Sequence, residues 1–338
     1  MKNIEELDEE LTTPSDALVA DMAALDGDIL VLGVGGKVGP SVAGLAANAV
    51  RKAGSGATVY GVARFSDPDT ARELEGYGVV PVRADITDED DLRELPDVKN
   101  VIFMVGHKFG TEGNEHYTWM MNSYLPGRVA ERFQDSRIVA FSTLLTYPMT
   151  DAGQGGSREG DEPGPLGEYA ASCVGRERMF EHFSRKNGTP VLTFHLGYAI
   201  EMRYGVLLEI AKAVKDRSPI DLSMGYASVI WQGDVAEYAL RSLHLAASPP
   251  AHLNITGPEI VPIRWLAHRF AERLGVEPVF EGEEEQTAYV LDGTKLQSLY
   301  GYPRVTLQRM IEWVADWVAA DGPTIDKPTH FQQRDGKF

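Results

Sequence analysis

Residues 27–44 contain the feature that most constrains the fold, a short apolar run followed by regularly spaced glycines. The run from Ile29 to Leu32 predicts a strand buried on both faces of a parallel sheet. Gly33, Gly36 and Gly39 follow at a spacing of three, and small apolar residues behind them predict a helix. Glycines let the backbone approach a pyrophosphate, and a helix N-terminus offers free N–H groups. The stretch therefore predicts a phosphate-binding turn.

The spacing of these glycines narrows the kind of phosphate site. The dehydrogenase pattern G-x-G-x-x-G would need glycine at Val38, whereas G-x-x-G-x-x-G fits. A triphosphate-binding loop would need Ser or Thr after Lys37, so Val38 disfavours nucleotide triphosphate hydrolysis. A plain glycine-rich turn without a ligand remains the alternative at this point.

Composition and charge exclude several function classes. The chain has 338 residues, of which 43% are apolar, so it can bury a sizeable core. A net charge of −18 argues against nucleic-acid or anionic-membrane partners, and an anionic substrate would need a locally basic pocket. The single cysteine excludes an internal disulfide, and neither cysteine nor histidine spacing predicts a metal site. The sequence opens with no leader and has no membrane-spanning apolar run, so we expect a cytoplasmic protein.

Strand and helix patterns alternate between residues 27 and 196. The predicted strands are 29–32, 58–64, 79–82, 101–105, 138–141 and 191–195. The predicted helices are 42–50, 68–76, 88–95, 117–134 and 168–186. This alternation predicts an α/β fold with a doubly wound, parallel, Rossmann-like sheet and right-handed crossovers. Ligands of such sheets bind at the carboxyl ends of the strands.

The two ends of the chain depart from this alternation. Residues 1–26 predict a helical extension that caps the first strand, with an unstructured tail as the alternative. Residues 197–228 and 257–338 predict a smaller, mostly helical substrate-binding part, whereas 229–256 is expected to pack back on the sheet domain. The last 17 residues are polar, and we expect them to drape over the surface.

The ordered series of motifs resembles the extended short-chain dehydrogenase/reductase superfamily, in particular its NAD-dependent epimerase/dehydratase group. The resemblance covers nearly the whole chain after residue 27. Its motifs, in chain order, are the glycine pattern, Asp85-Ile86, Val105-Gly106-His107-Lys108, Asn122, Ser142-Thr143 with Tyr147, Asp234, and Leu253 to Gly257. Each motif is weak alone, but their order is specific.

The resemblance assigns roles to these residues. It implies that the dinucleotide contacts Gly33, Gly36, Lys37, Val38, Gly39, Asp85, Ile86, Val105, Gly106, His107, Lys108, Asn122 and Ser142. It places Thr143 and Tyr169 at the catalytic hydroxyls and implies a sugar or nucleotide-sugar substrate. It also implies a homodimer that pairs through the helices at 117–134 and 168–186.

One departure from the family concerns its catalytic Tyr-x-x-x-Lys signature. Here Tyr169 is followed four residues later by Cys173, so the lysine that lowers the tyrosine pKa is missing. Arg176 lies two helical turns after Tyr169 on the same face and could supply a positive charge, with Lys108 as a second source. The alternatives are a surface salt bridge of Arg176 with Glu168 or Glu181, and core packing for Cys173.

The end of the second strand bears on the choice between NAD and NADP. NAD enzymes usually place an acid there to hold the ribose hydroxyls, but this chain has Arg64. Arginine suits a 2′-phosphate, so the sequence slightly favours NADP. Stacking of Arg64 on adenine would serve either cofactor and remains the alternative.

Two classes of function therefore remain. The first is an NAD(P)-dependent oxidoreductase, epimerase or dehydratase in which Tyr169 moves the hydroxyl proton and Thr143 orients the same oxygen. The second is a non-catalytic dinucleotide-binding protein, a sensor or scaffold, that has lost its lysine. Retention of both Thr143 and Tyr169 favours the enzyme.

Overall fold

The computed structural model describes residues 1–325 and 327–337. Its strands, numbered in chain order, are β1 Ile29–Leu32, β2 Val59–Ala63, β3 Val80–Arg83, β4 Asn100–Phe103, β5 Arg137–Thr143, β6 Thr150–Asp151, β7 Val191–Leu196, β8 Tyr198–Ile200, β9 Pro219–Asp221, β10 Tyr226–Trp231, β11 Ala251–Ile255, β12 Ile260–Pro262, β13 Val279–Glu281 and β14 Thr287–Ala288. Within the described residues, seven strands form a parallel sheet in the order β11-β7-β5-β4-β1-β2-β3. The chain winds outward in both directions from β1 and β4, which confirms the predicted doubly wound sheet.

The helices cover both faces of this sheet and build most of the smaller part. They are α1 Ile4–Thr12, α2 Asp16–Ala24, α3 Gly39–Ala53, α4 Pro68–Tyr77, α5 Glu89–Glu94, α6 Glu115–Trp119, α7 Leu125–Arg132, α8 Gly167–Asn187, α9 Val206–Asp216, α10 Gln232–Arg241, α11 Ile263–Leu274, α12 Thr294–Tyr300 and α13 Leu307–Ala319. The smaller part also contains a short sheet, β12-β10-β8, and the strand pair β9 and β13. The sequence did not predict these strands or α12.

The central strands β1 and β4 are buried along their whole length, as their apolar runs predict. One residue of these two strands is polar: Asn100, which begins β4 and is fully buried. Its side-chain amide donates to the carbonyl oxygens of Asp26 and Asp28 at 2.9 and 3.1 Å. A buried amide is tolerated there because its donors are satisfied by the chain entering β1.

The first 24 residues form two helices that lie on α3 and α10. Leu18 and Met22 of α2 are buried in the same cluster as the apolar face of α3. Asn48 of α3 donates to the carbonyl of Thr12 at 2.8 Å, and Ser15 donates to the carboxylate of Glu237 at 2.6 Å. The two helices therefore join the helix layer beside the sheet.

The helix predicted over 117–134 is interrupted by a π-helical turn at Met120–Tyr124. Pro126 follows it at the start of α7 and has no N–H to donate to the carbonyl of Asn122. The wider turn accommodates the proline, and such turns occur frequently at functional sites. It places the side chain of Asn122 against the end of β4.

The prediction that the last 17 residues drape over the surface is wrong. Thr329 and Phe331 are only 6% and 2% exposed. Phe331 packs in the core cluster of the smaller part, and Thr329 donates both its N–H and its hydroxyl to the carboxylate of Glu209. A single aromatic ring removes a large apolar area from water, which anchors an otherwise polar segment.

Within the described part of the chain, no helix combines the length and apolar character that crossing a bilayer needs.

Candidate active site

The glycine turn forms the entrance to the site at the carboxyl end of β1. Gly33 has a φ of +88°, a conformation that favours glycine. A Cβ atom on Gly39 would lie 2.3 Å from the carbonyl oxygen of Val34, so only glycine permits this close approach of turn and helix. The turn therefore keeps the N-terminus of α3 open toward the cleft, as the spacing predicts.

A first cavity of about 410 Å³ lies beside this turn. Its lining brings together predicted residues from four loops, namely Gly33, Gly36, Arg64, Asp85, Ile86, Val105 and Gly106. The side chain of Arg64 is 67% exposed and lies 4.0 Å from the carboxylate of Asp85. This cavity has the position expected for the adenosine half of a dinucleotide.

A second cavity of about 200 Å³ lies on the other side of the turn. Its lining brings together Lys37, Val38, Lys108, Ser142, Thr143 and Tyr169 from the predicted set. Tyr198 and Tyr204 also line it, whereas Trp231 is fully buried against Trp313. The predicted catalytic hydroxyls thus share one cavity.

The side chains of Thr143, Cys173 and Arg176 all act on the pKa of the Tyr169 hydroxyl. Burial raises this pKa far above its usual value, Cys173 raises it further, and Arg176 and Thr143 oppose the shift only in part. Cys173 is fully buried, and burial also raises the pKa of its thiol. Both groups are therefore neutral near pH 7 in the protein alone.

Arg176 lies inside the protein, and no carboxylate of the described residues forms a salt bridge with it. It is 5% exposed and donates to the carbonyl of Phe141 at 2.7 Å and to Oδ1 of Asn122 at 2.9 Å. Glu168 accepts instead from the indole of Trp119, and Glu181 pairs with arginines on its own helix. The surface alternative is wrong, because the face of α8 that carries Tyr169 and Arg176 turns toward β5.

Asn122 holds the loop after β4. Its amide donates to the carbonyl of His107 at 2.9 Å and to Ser172 at 3.0 Å, and its Oδ1 accepts from the N–H of His107 at 2.8 Å. The ring of His107 is turned against Tyr117 at 5.0 Å and lines neither cavity. Asn122 thus holds the backbone of this loop in place at His107, whereas Gly106 of the same loop lines the first cavity.

Lys108 brings a positive charge close to Cys173 from the loop after β4. Burial lowers the pKa of its ammonium to about 8, and the nearby Cys173 and Glu209 oppose the shift. The Nζ atom donates to the carbonyl of Thr329 at 3.3 Å. The charge of Lys108 in turn acts to lower the pKa of the Cys173 thiol. A cation therefore lies near the position where the family pattern has its lysine.

Sequence reasoning missed a buried acid behind this cavity. Glu177 accepts hydrogen bonds from the hydroxyl of Ser142 and from Nε2 of His195, the latter at 3.1 Å. Burial acts to raise the pKa of Glu177, but His195, Ser142 and His252 hold it below its usual value. Its spacing of eight residues from Tyr169 along the same helix was the signal that could have identified it.

Sequence reasoning also missed the C-terminal segment as part of the site. Thr329, His330, Phe331 and Gln333 line the second cavity beside Tyr169. Arg334 anchors the segment by donating to the carbonyl oxygens of Ser223 and Thr287 at 2.9 and 2.7 Å. No periodic pattern marks an irregular segment of this kind, so the sequence offered no signal for it.

Comparison with known proteins shows similarity of fold. No family model matches the sequence, and no curated protein matches it. Solved structures do match, among them UDP-glucose 4-epimerase of Thermus thermophilus in complex with NAD, with 18% identity and a TM-score of 0.69 over 86% of this chain and 98% of that one. UDP-glucuronic acid 4-epimerase of Bacillus cereus in complex with UDP-glucuronic acid and NAD has 17% identity and a TM-score of 0.70 over 86% and 98%. MoeE5 in complex with UDP-glucose and NAD has 20% identity and a TM-score of 0.67 over 87% and 99%.

Proposed function

We propose that this chain is an NAD(P)-dependent oxidoreductase with extended short-chain dehydrogenase chemistry, acting on the hydroxyl of a sugar or nucleotide sugar. The observation that carries the proposal is that the hydroxyl-bearing side chains of Thr143 and Tyr169 line one cavity, which adjoins the glycine turn. The shared fold with UDP-sugar epimerases supports the same reaction class by analogy.

The residues of the first cavity fit the adenosine and pyrophosphate of a dinucleotide. Gly36 leaves the turn open, since the position of its Cβ would be 3.4 Å from the nearest heavy atom, the carbonyl oxygen of Gly33. Free N–H groups at the start of α3 suit a pyrophosphate. Asp85 and Ile86 suit contacts with adenine, and the exposed Arg64 supports a preference for the 2′-phosphate of NADP.

The chemistry divides between the cofactor and this chain's own hydroxyls. A bound nicotinamide supplies the acceptor or donor of the hydride. Thr143 orients the reacting oxygen of the substrate, and Tyr169 exchanges a proton with it. Because burial keeps Tyr169 protonated near neutral pH, it is suited to donate its proton to a keto oxygen, and oxidation of a hydroxyl should accelerate as the pH rises.

Two cations take the place of the family's lysine in this proposal. Arg176 acts to lower the pKa of Tyr169 from the protein interior, where it is bound to the carbonyl of Phe141 and to Asn122. Lys108 adds a second positive charge close to Cys173, on the cavity side. Arg176 therefore positions the end of β5 and adds a fixed charge, and it is not free to contact a ribose. Cys173 contributes a buried, neutral thiol on which the charges of Arg176 and Lys108 both act.

Assembly is a further part of the proposal. The helices predicted to pair expose two large aromatic side chains, Trp119 with 40% and Tyr124 with 60% of their surface accessible. Exposed aromatic residues close together on one helix segment suit a protein–protein interface. We therefore propose that the chain forms a homodimer through α6, α7 and α8.

Titration followed by a substrate screen tests the proposed function. The full chain should bind NAD or NADP with micromolar affinity or better in calorimetry. Sugars and UDP-sugars are then added to the loaded protein while the nicotinamide absorbance is followed. A substrate-dependent change supports the enzyme. Tight cofactor binding with no absorbance change for any compound would instead support the non-catalytic alternative, whose basis is Cys173 in place of lysine.

A further inference from the structure

The side chain of Lys37 leaves the glycine turn toward the second cavity. Its Nζ atom lies 3.2 Å from the ring centroid of Tyr204 and 5.3 Å from that of Phe109. It lines the cavity of Tyr169 and does not line the cavity assigned to adenosine. Among the described residues, no carboxylate forms an ion pair with it. Lys37 is thus a cation held by aromatic faces on the substrate side of the turn.

Further positive charge converges on the same place. The Nζ atom of Lys108 also lies 5.3 Å from the ring centroid of Phe109. Burial, Lys108 and Lys327 together lower the pKa of Lys37 to about 8. Glu209, whose charge opposes this shift, already accepts two hydrogen bonds from Thr329. This local excess of cations contrasts with the net charge of −18 for the whole chain.

The lining of this cavity makes an anionic ligand favourable. No Asp or Glu lines it within the described parts of the chain, although Lys37 and Lys108 both do. Like charges in a partly dry site repel, and an anion between them relieves that repulsion. Thr143 and Tyr169 line the same cavity, so a molecule held by its anionic group would present its remaining hydroxyls to them.

The size of the cavity limits the ligand further. Its volume is about 200 Å³, below the roughly 300–1,000 Å³ typical of sites for drug-sized ligands. The C-terminal residues Thr329 to Gln333 close one side, and Phe331 among them is almost fully buried. A monosaccharide fits this space better than a nucleotide sugar does.

We infer that the substrate of this site is a monosaccharide-sized compound with a carboxylate or phosphate group, which binds between the ammonium groups of Lys37 and Lys108. The inference rests on the proposed function, which it deepens by naming the substrate class. Lys37 is then a specificity-determining residue, because it selects the anionic group at a distance from the reacting hydroxyl.

The test compares D-glucuronate and D-glucose 6-phosphate with the neutral D-glucose on the full chain loaded with cofactor. Lys37→Met keeps the length of the side chain and removes its charge. We expect it to raise the KM for the two anions about tenfold or more and to change the KM for glucose much less. Lys212→Met, at an exposed lysine lining a neighbouring cleft, is the matched control and should leave all three values unchanged.

Measurements of ligand binding, turnover and cofactor affinity together separate this inference from the proposed function. Binding of glucuronate is measured directly by ligand-detected NMR, which needs no turnover. Binding that depends on Lys37 without any nicotinamide signal would support the anion site and contradict the proposed function. Turnover that does not distinguish anionic from neutral sugars, or that occurs only with UDP-sugars, would overturn the inference and leave the proposed function intact. A tenfold loss of cofactor affinity in Lys37→Met with unchanged sugar selectivity would also overturn it, since Lys37 would then serve the cofactor.

Discussion

The ammonium group of Lys108 donates a 3.3 Å hydrogen bond to the carbonyl oxygen of Thr329. The two residues come from the loop after β4 and from the C-terminal segment, and both line the cavity of Tyr169. The bond fixes a cation close to Cys173, where the family pattern has a lysine. In the proposed function, this cation stands in for the positive charge that the lysine of the family pattern would supply from α8.

Replacing Lys108 should change how the reaction depends on pH. The pKa of its ammonium is lowered to about 8, so the charge is present below that pH and is lost as the pH rises through it. Lys108→Met removes this support below a pH of about 8, where the wild-type chain has it. We expect oxidation at neutral pH to slow about tenfold and the apparent pKa of its rising limb to increase by about one unit.

A pH–rate profile checks this prediction, with the exposed Lys52→Met as control. Adding Cys173→Lys to Lys108→Met should restore part of the rate and move the profile back down, because the family's lysine would return to the catalytic helix. Profiles that coincide for the wild-type chain and Lys108→Met would show that Lys108 does not support the tyrosine.

Substitution of Gly36 in the glycine turn should lower the affinity for the cofactor. In Gly36→Val a branched side chain would project into the space expected for the pyrophosphate. Affinity for the dinucleotide should fall at least tenfold, a cost of about 1.4 kcal/mol or more. Calorimetry on the folded variant measures this, and Gly76→Val, whose new side chain would meet open space in α4, is the control. An unchanged affinity would remove the basis for a dinucleotide site.

The cofactor preference can be tested at Arg64. Its side chain is 67% exposed and its contact with Asp85 spans 4.0 Å, so the pair should add little to stability. If Arg64 holds a 2′-phosphate, Arg64→Ala weakens binding of NADP by about tenfold and of NAD by much less. The exposed Arg72→Ala is the control. If the affinities for NADP and NAD fell equally, Arg64 would only stack on the adenine and the preference for NADP would be wrong.

The proposed dimer depends on the exposed aromatic residues of α6 and the π-helical turn. Tyr124→Glu places a charge at the centre of the expected interface, where burial without a partner is costly. Light scattering at micromolar concentration should give a dimer for the wild-type chain and a monomer for the variant. Tyr302→Glu, at an equally large residue that is 74% exposed elsewhere, should remain dimeric. A wild-type chain that is monomeric under these conditions would contradict the proposed homodimer.

The sheet could be predicted because each of its strands carries its own signal. The apolar run at Ile29–Leu32 and the glycines after it act locally, and the positions of Thr143 and Tyr169 follow from the ends of β5 and the start of α8. The buried position of Arg176 could not be predicted, because a helix face reveals its partner only when it packs on β5. The role of Thr329 depends on a contact across 221 residues, for which the sequence has no local pattern.

The central claim, proton exchange by Tyr169 during hydride transfer, is tested most directly by Tyr169→Phe in a single-turnover measurement of nicotinamide absorbance with the cofactor-loaded protein. Tyr147→Phe is the matched control, since its hydroxyl contacts His195 and Asn254 and does not line the cavity. The account predicts that Tyr169→Phe loses at least a hundredfold in rate while its cofactor affinity stays within about twofold, and that Tyr147→Phe keeps its rate. A Tyr169→Phe variant that turns over at the wild-type rate would contradict the mechanism, whichever cofactor is bound.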